Sequence, residues 1–300
     1  MGNRRGRGAQ AINWFLKILF IPLVFFSSVQ CNVIWTSPKR YHPDPLTLQP
    51  PIMSLDEYTS SGLINTHTRP YLYVVEKNKG AVLVFGAEHT NDPDDNQFQQ
   101  MQKQWKEFRP TIAMVEGRLG FLFSWMQDPV EELGEGGFTA KMARSDGIEL
   151  YSWEPGREAE VEFLLGEYDA ALVAAFFCLR PYLNRHADLT KEEQDQIMSN
   201  FIAERTTHPA IKGSLTSLSQ LDSIWNKVNP EGENWRTYQH PQNGWPKGPL
   251  NDMFGATNLF RDSHMCRSII ELVNRGERVF ISMGSSHAPR IEKTLKEMLK

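Results

Sequence analysis

The sequence predicts an α/β fold: a mostly parallel sheet covered by helices, with a helical insertion before the last strand. Three observations lead there. From residue 71 onward, short β-rich apolar runs alternate with stretches of helical period. The connections between them are short, as strand–helix–strand units require. The block 157–257 carries helical patterning only. Hydrophobic residues make up 40% and charged residues 23% of the 300, enough apolar material for one large core, with or without an insertion.

The elements follow in order. Residues 71–76 and 81–85 are β-rich runs separated by Lys77–Gly80, which reads as a hairpin. Residues 96–108 carry Phe98, Met101, Trp105 and Phe108 at helical spacing. Pro110 ends that helix, and 111–115 reads as a buried strand. A short helix is expected over 138–144, closed by Asp146-Gly147, and a strand over 148–153. One long helix is expected over 158–183. Thr190 and Glu193 form a capping box that opens a helix to about residue 206. A further helix covers 217–228, a loop 238–249, and a helix 258–274 ends before Gly276. Residues 278–283 form the last strand and 289–300 the last helix, with Pro289 in its first turn. Cys178 lies in an apolar run and reads as an inert core thiol.

The N-terminus differs. Arg4, Arg5 and Arg7 precede an apolar run over 11–26, and Ser27 and Ser28 follow. Residues 1–31 therefore read as a secretory signal or a retained membrane anchor, so the chain is expected to be exported: periplasmic, cell-surface or membrane-anchored. Cys31 is a possible lipid attachment point, although Gln30 before it is not small. Residues 32–69 are rich in Pro, Ser and Thr and read as an irregular lead-in to a domain over 71–300. Three cysteines make no disulfide framework. Net charge is −4 and no basic run follows the first few residues, which gives no footing for a nucleic-acid partner.

Chemistry-bearing residues collect just after the expected strands. Glu88 and His89 follow 81–85, Glu116 follows 111–115, Glu154 follows 148–153, and His287 follows 278–283. In open α/β sheets the carboxyl ends of the strands line the ligand crevice. Gly86-x-x-His89 and Gly284-x-x-His287 share one pattern: a Gly that turns the chain sharply, then a His able to point into the crevice. Imidazoles with carboxylates nearby suit a divalent metal or acid–base catalysis. Arg261, expected early in the helix before the last strand, can bind an anion or stabilise an oxyanion, or serve in a surface ion pair. Asp92, Asp94 and Asp95 read as a helix cap. His186, His208, His240 and His264 read as ordinary surface residues.

The run Val82-Leu83-Val84-Phe85-Gly86-Ala87-Glu88-His89, the later Val115-Glu116-Gly117 and the closing Ile281-Ser282-Met283-Gly284-Ser285-Ser286-His287 resemble the TraB/Tiki/ChaN/erythromycin-esterase superfamily. The resemblance covers residues 71–300, with its specific residues at the two ends. Ala87 stands where many esterase and ChaN relatives carry Glu, and the ending Gly-Ser-Ser-His-Ala-Pro looks closer to the TraB and Tiki side. The resemblance implies a metal-dependent hydrolase of a peptide, ester or amide, acting on a small-molecule or peptide substrate. In it His89, Glu116 and His287 match the functional positions, expected to hold a divalent ion (Mn, Co or Zn); from the residues themselves, Glu88 or Glu154 is expected to be the base and Arg261 to steady negative charge. The alternatives it leaves are a ChaN-like protein that binds haem or iron, and a non-catalytic relative.

Overall fold

The computed structural model describes residues 34–183, 186, 189–238 and 244–300. The expected signal or anchor at 1–31, Cys31 and His240 lie outside the described residues. No helix among the described residues is long and apolar enough to cross a membrane.

In chain order the elements are β1 (Ile34–Trp35), β2 (Lys39–Arg40), α1 (Leu55–Ser60), α2 (Leu63–Thr66), β3 (Tyr71–Lys77), β4 (Gly80–Ala87), α3 (Asn96–Phe108), β5 (Ile112–Val115), β6 (Leu122–Phe123), α4 (Pro129–Asp146), β7 (Glu149–Ser152), α5 (Arg157–Leu165), α6 (Ala170–Leu179), α7 (Lys191–Arg205), α8 (Leu218–Val228), α9 (Pro249–Asn274), β8 (Arg278–Gly284) and α10 (Ala288–Met298). The main sheet has the order β2-β7-β5-β8-β4-β3. The β3–β4 hairpin is antiparallel, and every other pairing in this sheet is parallel. β1 and β6 form a separate two-stranded antiparallel pair.

The expected α/β architecture is present. Strands β4 and β5 are buried along their whole length, as central strands covered on both faces must be. One face packs against α9 and α10 through Met265, Ile269, Val273, Ile291 and Leu295. The other packs against α3 and α4 through Phe98, Met101, Trp105 and Met142. Residues 161–253 build a further core of their own, around Phe176, Tyr182, Trp225 and Trp235. As expected, no strand occurs among the described residues of 157–257.

Four details differ from the sequence reading. The single helix expected over 158–183 is two, because Gly166 closes α5 and the Asp169 side chain caps α6 by accepting the Leu172 N–H at 2.9 Å. The short helix over 138–144 is the end of a longer α4, which begins at Pro129 and kinks at Gly134. The helix before the last strand starts at Pro249 and not at residue 258, so Arg261 sits mid-helix. The lead-in 32–69 is not wholly irregular, since Lys39–Arg40 adds the edge strand β2 beside β7. Two residues between prolines carry too little alternation to announce a strand.

Candidate active site

The parallel register puts the ends of β4, β8 and β5 side by side. Ala87 pairs with Gly284 at the end of β4 and β8, and Met114 pairs with Ile281 between β5 and β8. Beyond these ends the chain delivers His89, His287 and Glu116 to one edge. Gly284 lies between them. A methyl group on Gly284 would come within 2.8 Å of His89 Nε2 and 3.6 Å of Glu116 Oε2, so a larger residue there would push the His89 ring outward.

Each imidazole is held by a carboxylate through Nδ1. His89 Nδ1 donates to Glu135 Oε1 at 2.7 Å, and His287 Nδ1 donates to Asp262 Oδ1 at 2.5 Å. Both rings thereby keep Nε2 free. That of His287 lies 3.9 Å from Glu116 Oε1. The two environments differ. The His89 side chain is 68% exposed and the His287 side chain 7%. His287 also packs edge-on against Trp153, whose indole N–H donates to the Ser282 carbonyl at 3.1 Å. Asp262 is fully buried and forms a second ion pair with Arg290 at 2.9 Å, and Arg290 anchors itself on the Met53 carbonyl.

Glu116 is the hub. Its Oε2 accepts the Gly284 N–H at 2.9 Å, and its Oε1 accepts from Arg261 at 3.0 Å. Burial alone would raise its pKa, but the facing His287 and Arg261, with the Gly284 N–H and His89, overcome it and lower the carboxyl to about 2. The hydrogen bond and charge of Glu135, aided by Glu116, outweigh desolvation and raise His89 to about 9. Arg261 is buried and also donates to Glu154, and its guanidinium lies over the Trp153 ring. Glu154 and Glu116 outweigh the desolvation of Arg261 and keep it charged.

Of the residues singled out from the sequence, His89, Glu116, Glu154, Arg261 and His287 thus belong to one connected group. Glu88 does not. Its side chain is 55% exposed and faces Arg69 at 3.7 Å, while its backbone is fixed by Gln97. Arg261 gives its Nη2 to both Glu116 and Glu154, while its Nε is buried without a hydrogen-bond partner. Asp95 caps α3 as expected, by accepting the Gln97 N–H. His264 is no ordinary surface residue: it is partly buried and its Nδ1 donates to the Trp153 carbonyl at 2.8 Å.

Two residues that orient the imidazoles carried weaker signals. Asp262 stands beside Arg261, but its place opposite His287 depends on the true start of α9. Glu135 sits within Gly134-Glu135-Gly136-Gly137, an unusual run inside a helix. Gly134 (φ 55°) kinks α4 against the Thr90 carbonyl, which directs Glu135 toward His89. A glycine-rich helical turn around a lone carboxylate was the signal available.

A small pocket of about 270 Å³ lies at His89, Glu116 and Glu135. A larger cavity of about 810 Å³ adjoins the group at Glu154 and runs under the helical insertion. The donor set of two imidazoles and a carboxylate suits Zn, Mn or Co chemically. In this conformation, however, the described residues gather no cluster of three or more ligating groups, and Arg261 occupies Glu116. Comparison of the chain with protein-family models, curated proteins and solved structures finds no match.

Proposed function

We propose that the protein is an exported hydrolase of the TraB/Tiki-like type, acting on a peptide, ester or amide bond in a small-molecule or peptide substrate. The observation that carries this reading is the pair of imidazoles from β4 and β8. Each is held at Nδ1 by a carboxylate, with both Nε2 atoms free beside Gly284 and Glu116. An imidazole locked this way presents Nε2 in one tautomer, as a general base requires.

In the scheme this geometry supports, the accessible His89 is the base. Water adds to the carbonyl carbon as its proton passes to His89 Nε2. The tetrahedral intermediate then collapses, and the imidazolium returns that proton to the leaving oxygen or nitrogen. His287 and Glu116 form the inner wall of the site, with His287 Nε2 3.9 Å from Glu116 Oε1. Arg261 and Glu154 are positioning residues that fix Glu116. Export is proposed on the N-terminal sequence alone, and membrane association would come through the same segment.

A second reading keeps the metal ion that the resemblance implies. It is favoured by the Nδ1–carboxylate bonds, which also orient metal-ligating histidines. It requires Arg261 to release Glu116, so no step is derived through the ion.

The test is hydrolysis of p-nitrophenyl acetate and of a mixed peptide library, before and after EDTA, with elemental analysis of the purified protein. The acid–base reading expects turnover that survives EDTA and falls at least a hundredfold in His89→Ala. Turnover that EDTA abolishes and stoichiometric metal restores would replace it with the metal reading. No turnover in either state, or turnover indifferent to His89→Ala, would overturn both.

A further inference from the structure

We propose that the large cavity under the helical insertion binds the oxyanion of an organic carboxylate or phosphate ester, whose apolar body lies on Phe177, Trp245 and Phe254. The inference deepens the hydrolase reading by naming a substrate class, and rests on that reading only for the link to turnover.

The charge of the lining comes first. Arg40, Arg118, Arg157, Arg180 and Arg205 all line this cavity, in a chain whose net charge is −4. They arrive from five places in the fold: β2, the loop after β5, the first residue of α5, the end of α6 and the last residue of α7. Three carboxylates share the lining: Glu154, Glu158 and Glu160. Two of them are engaged. Glu154 is held by Arg261, and Glu160 pairs with Arg180 at 3.0 Å. Among the described residues no carboxylate lies within ion-pair distance of Arg40, Arg118, Arg157 or Arg205. Glu158 lies near the Arg40 guanidinium without forming an ion pair, so five guanidiniums face three carboxylates. A surplus of this kind suits planar or tetrahedral oxyanions, which arginine recognises by paired N–H donors.

Ordinary structural roles account for only part of the cluster: Arg180 pairs with Glu160, and the Arg205 guanidinium lies over the Phe201 ring. Arg205 and Arg180 at helix ends complement the helix dipole, but that needs neither convergence nor burial. Arg157 stands at a helix N-terminus, where the dipole opposes a cation. The Nε of Arg205 is buried without a hydrogen-bond partner. Desolvation and then the neighbouring Arg157 charge depress the pKa of Arg205, as expected of like charges held together without their counter-ion. The remaining wall mixes Thr207 and His208 with an aromatic patch of Phe177, Trp245 and Phe254, and Phe176 stacks behind Trp245. A cavity of about 810 Å³ with an aromatic patch beside convergent charges fits a small organic anion better than a nucleic acid. Glu154 lines this cavity and is bonded to Arg261, which also holds Glu116, so the cavity is linked to the imidazole group through that ion-pair chain.

The experiment is calorimetric titration of the purified full-length protein with phenyl phosphate, benzoate, inorganic phosphate and phenol. Phenyl phosphate or benzoate is expected to bind at least tenfold more tightly than either inorganic phosphate or phenol, and binding should weaken with added salt. Arg157→Gln and Arg205→Gln should each weaken it at least tenfold. Arg157 is exposed on the first residue of α5, so its substitution tests the site even if the Arg205 variant fails to fold. His89→Ala should leave the Kd within twofold, so a failure of the hydrolase reading appears in turnover and not in binding. Absence of binding by both aromatic anions at millimolar concentration would overturn the proposal. So would binding that is unchanged in Arg157→Gln.

Discussion

At the scale of single residues, the site depends on carboxylates that hold bases in place. Glu135 is the main cause of the raised pKa of His89, to about 9. Glu135→Gln removes that charge and is expected to bring His89 back toward the unperturbed value near 6.5, observable by NMR of the imidazole carbons. If His89 is the base, the wild-type rate should climb with pH and level off near 9, whereas Glu135→Gln should level off nearer neutrality at a lower plateau. Stability follows the same groups with opposite signs. The raised His89 contributes stability below about pH 6.5 that is lost as pH rises through about 9. The depressed Glu116 contributes stability above about 4.5 that is lost as pH falls toward about 2. The His89 part is small, because its side chain is 68% exposed. Asp262 is different, being fully buried between His287 and Arg290. Asp262→Ala leaves a buried guanidinium without its counter-ion and should cost about 3–5 kcal/mol in urea denaturation.

At the scale of elements, the kink in α4 and the turn after β8 do the positioning. Gly134 has φ 55° and ψ −140°, a conformation open essentially to glycine alone, and a side chain there would meet the Thr90 carbonyl at 2.9 Å. Gly134→Ala is expected to cost about 1–3 kcal/mol and to draw Glu135 away from His89, lowering the imidazole pKa as Glu135→Gln does. The two Gly-x-x-His turns were legible in the sequence because the glycine and the strand before it both leave local marks. The α4 kink was not, because glycines at 134, 136 and 137 weakened the helical signal that would have carried Glu135 into view. The start of α9 was hidden for a related reason. Pro249 at a first helical turn looks the same as Pro249 in a loop, and only the packing of Leu250 and Met253 into the insertion core decides between them.

At the scale of the whole molecule, two cores are joined by one helix. The insertion core over 161–253 and the sheet core are separate, yet α9 contributes Leu250 and Met253 to the first and Met265 through Val273 to the second. The patterning of strands and helices revealed this architecture, since it depends on local periodicity. The edge strand β2 and the arginine-lined cavity depend on contacts between distant segments, and no local pattern marks them. Trp225→Ala, in the insertion core, should destabilise the protein by about 3–5 kcal/mol while leaving the His89 titration unchanged. A shifted His89 pKa in that variant would mean that the insertion shapes the sheet edge directly.

The central claim is that His89 and His287, delivered by neighbouring strands, face one group at Glu116. The most direct test is the ring ¹⁵N spectrum of both imidazoles in the wild-type protein and in Glu116→Gln. Both His89 and His287 should respond to the loss of the single charge, with the His89 pKa falling from about 9. A spectrum in which only one imidazole responds, or neither, would contradict a shared site.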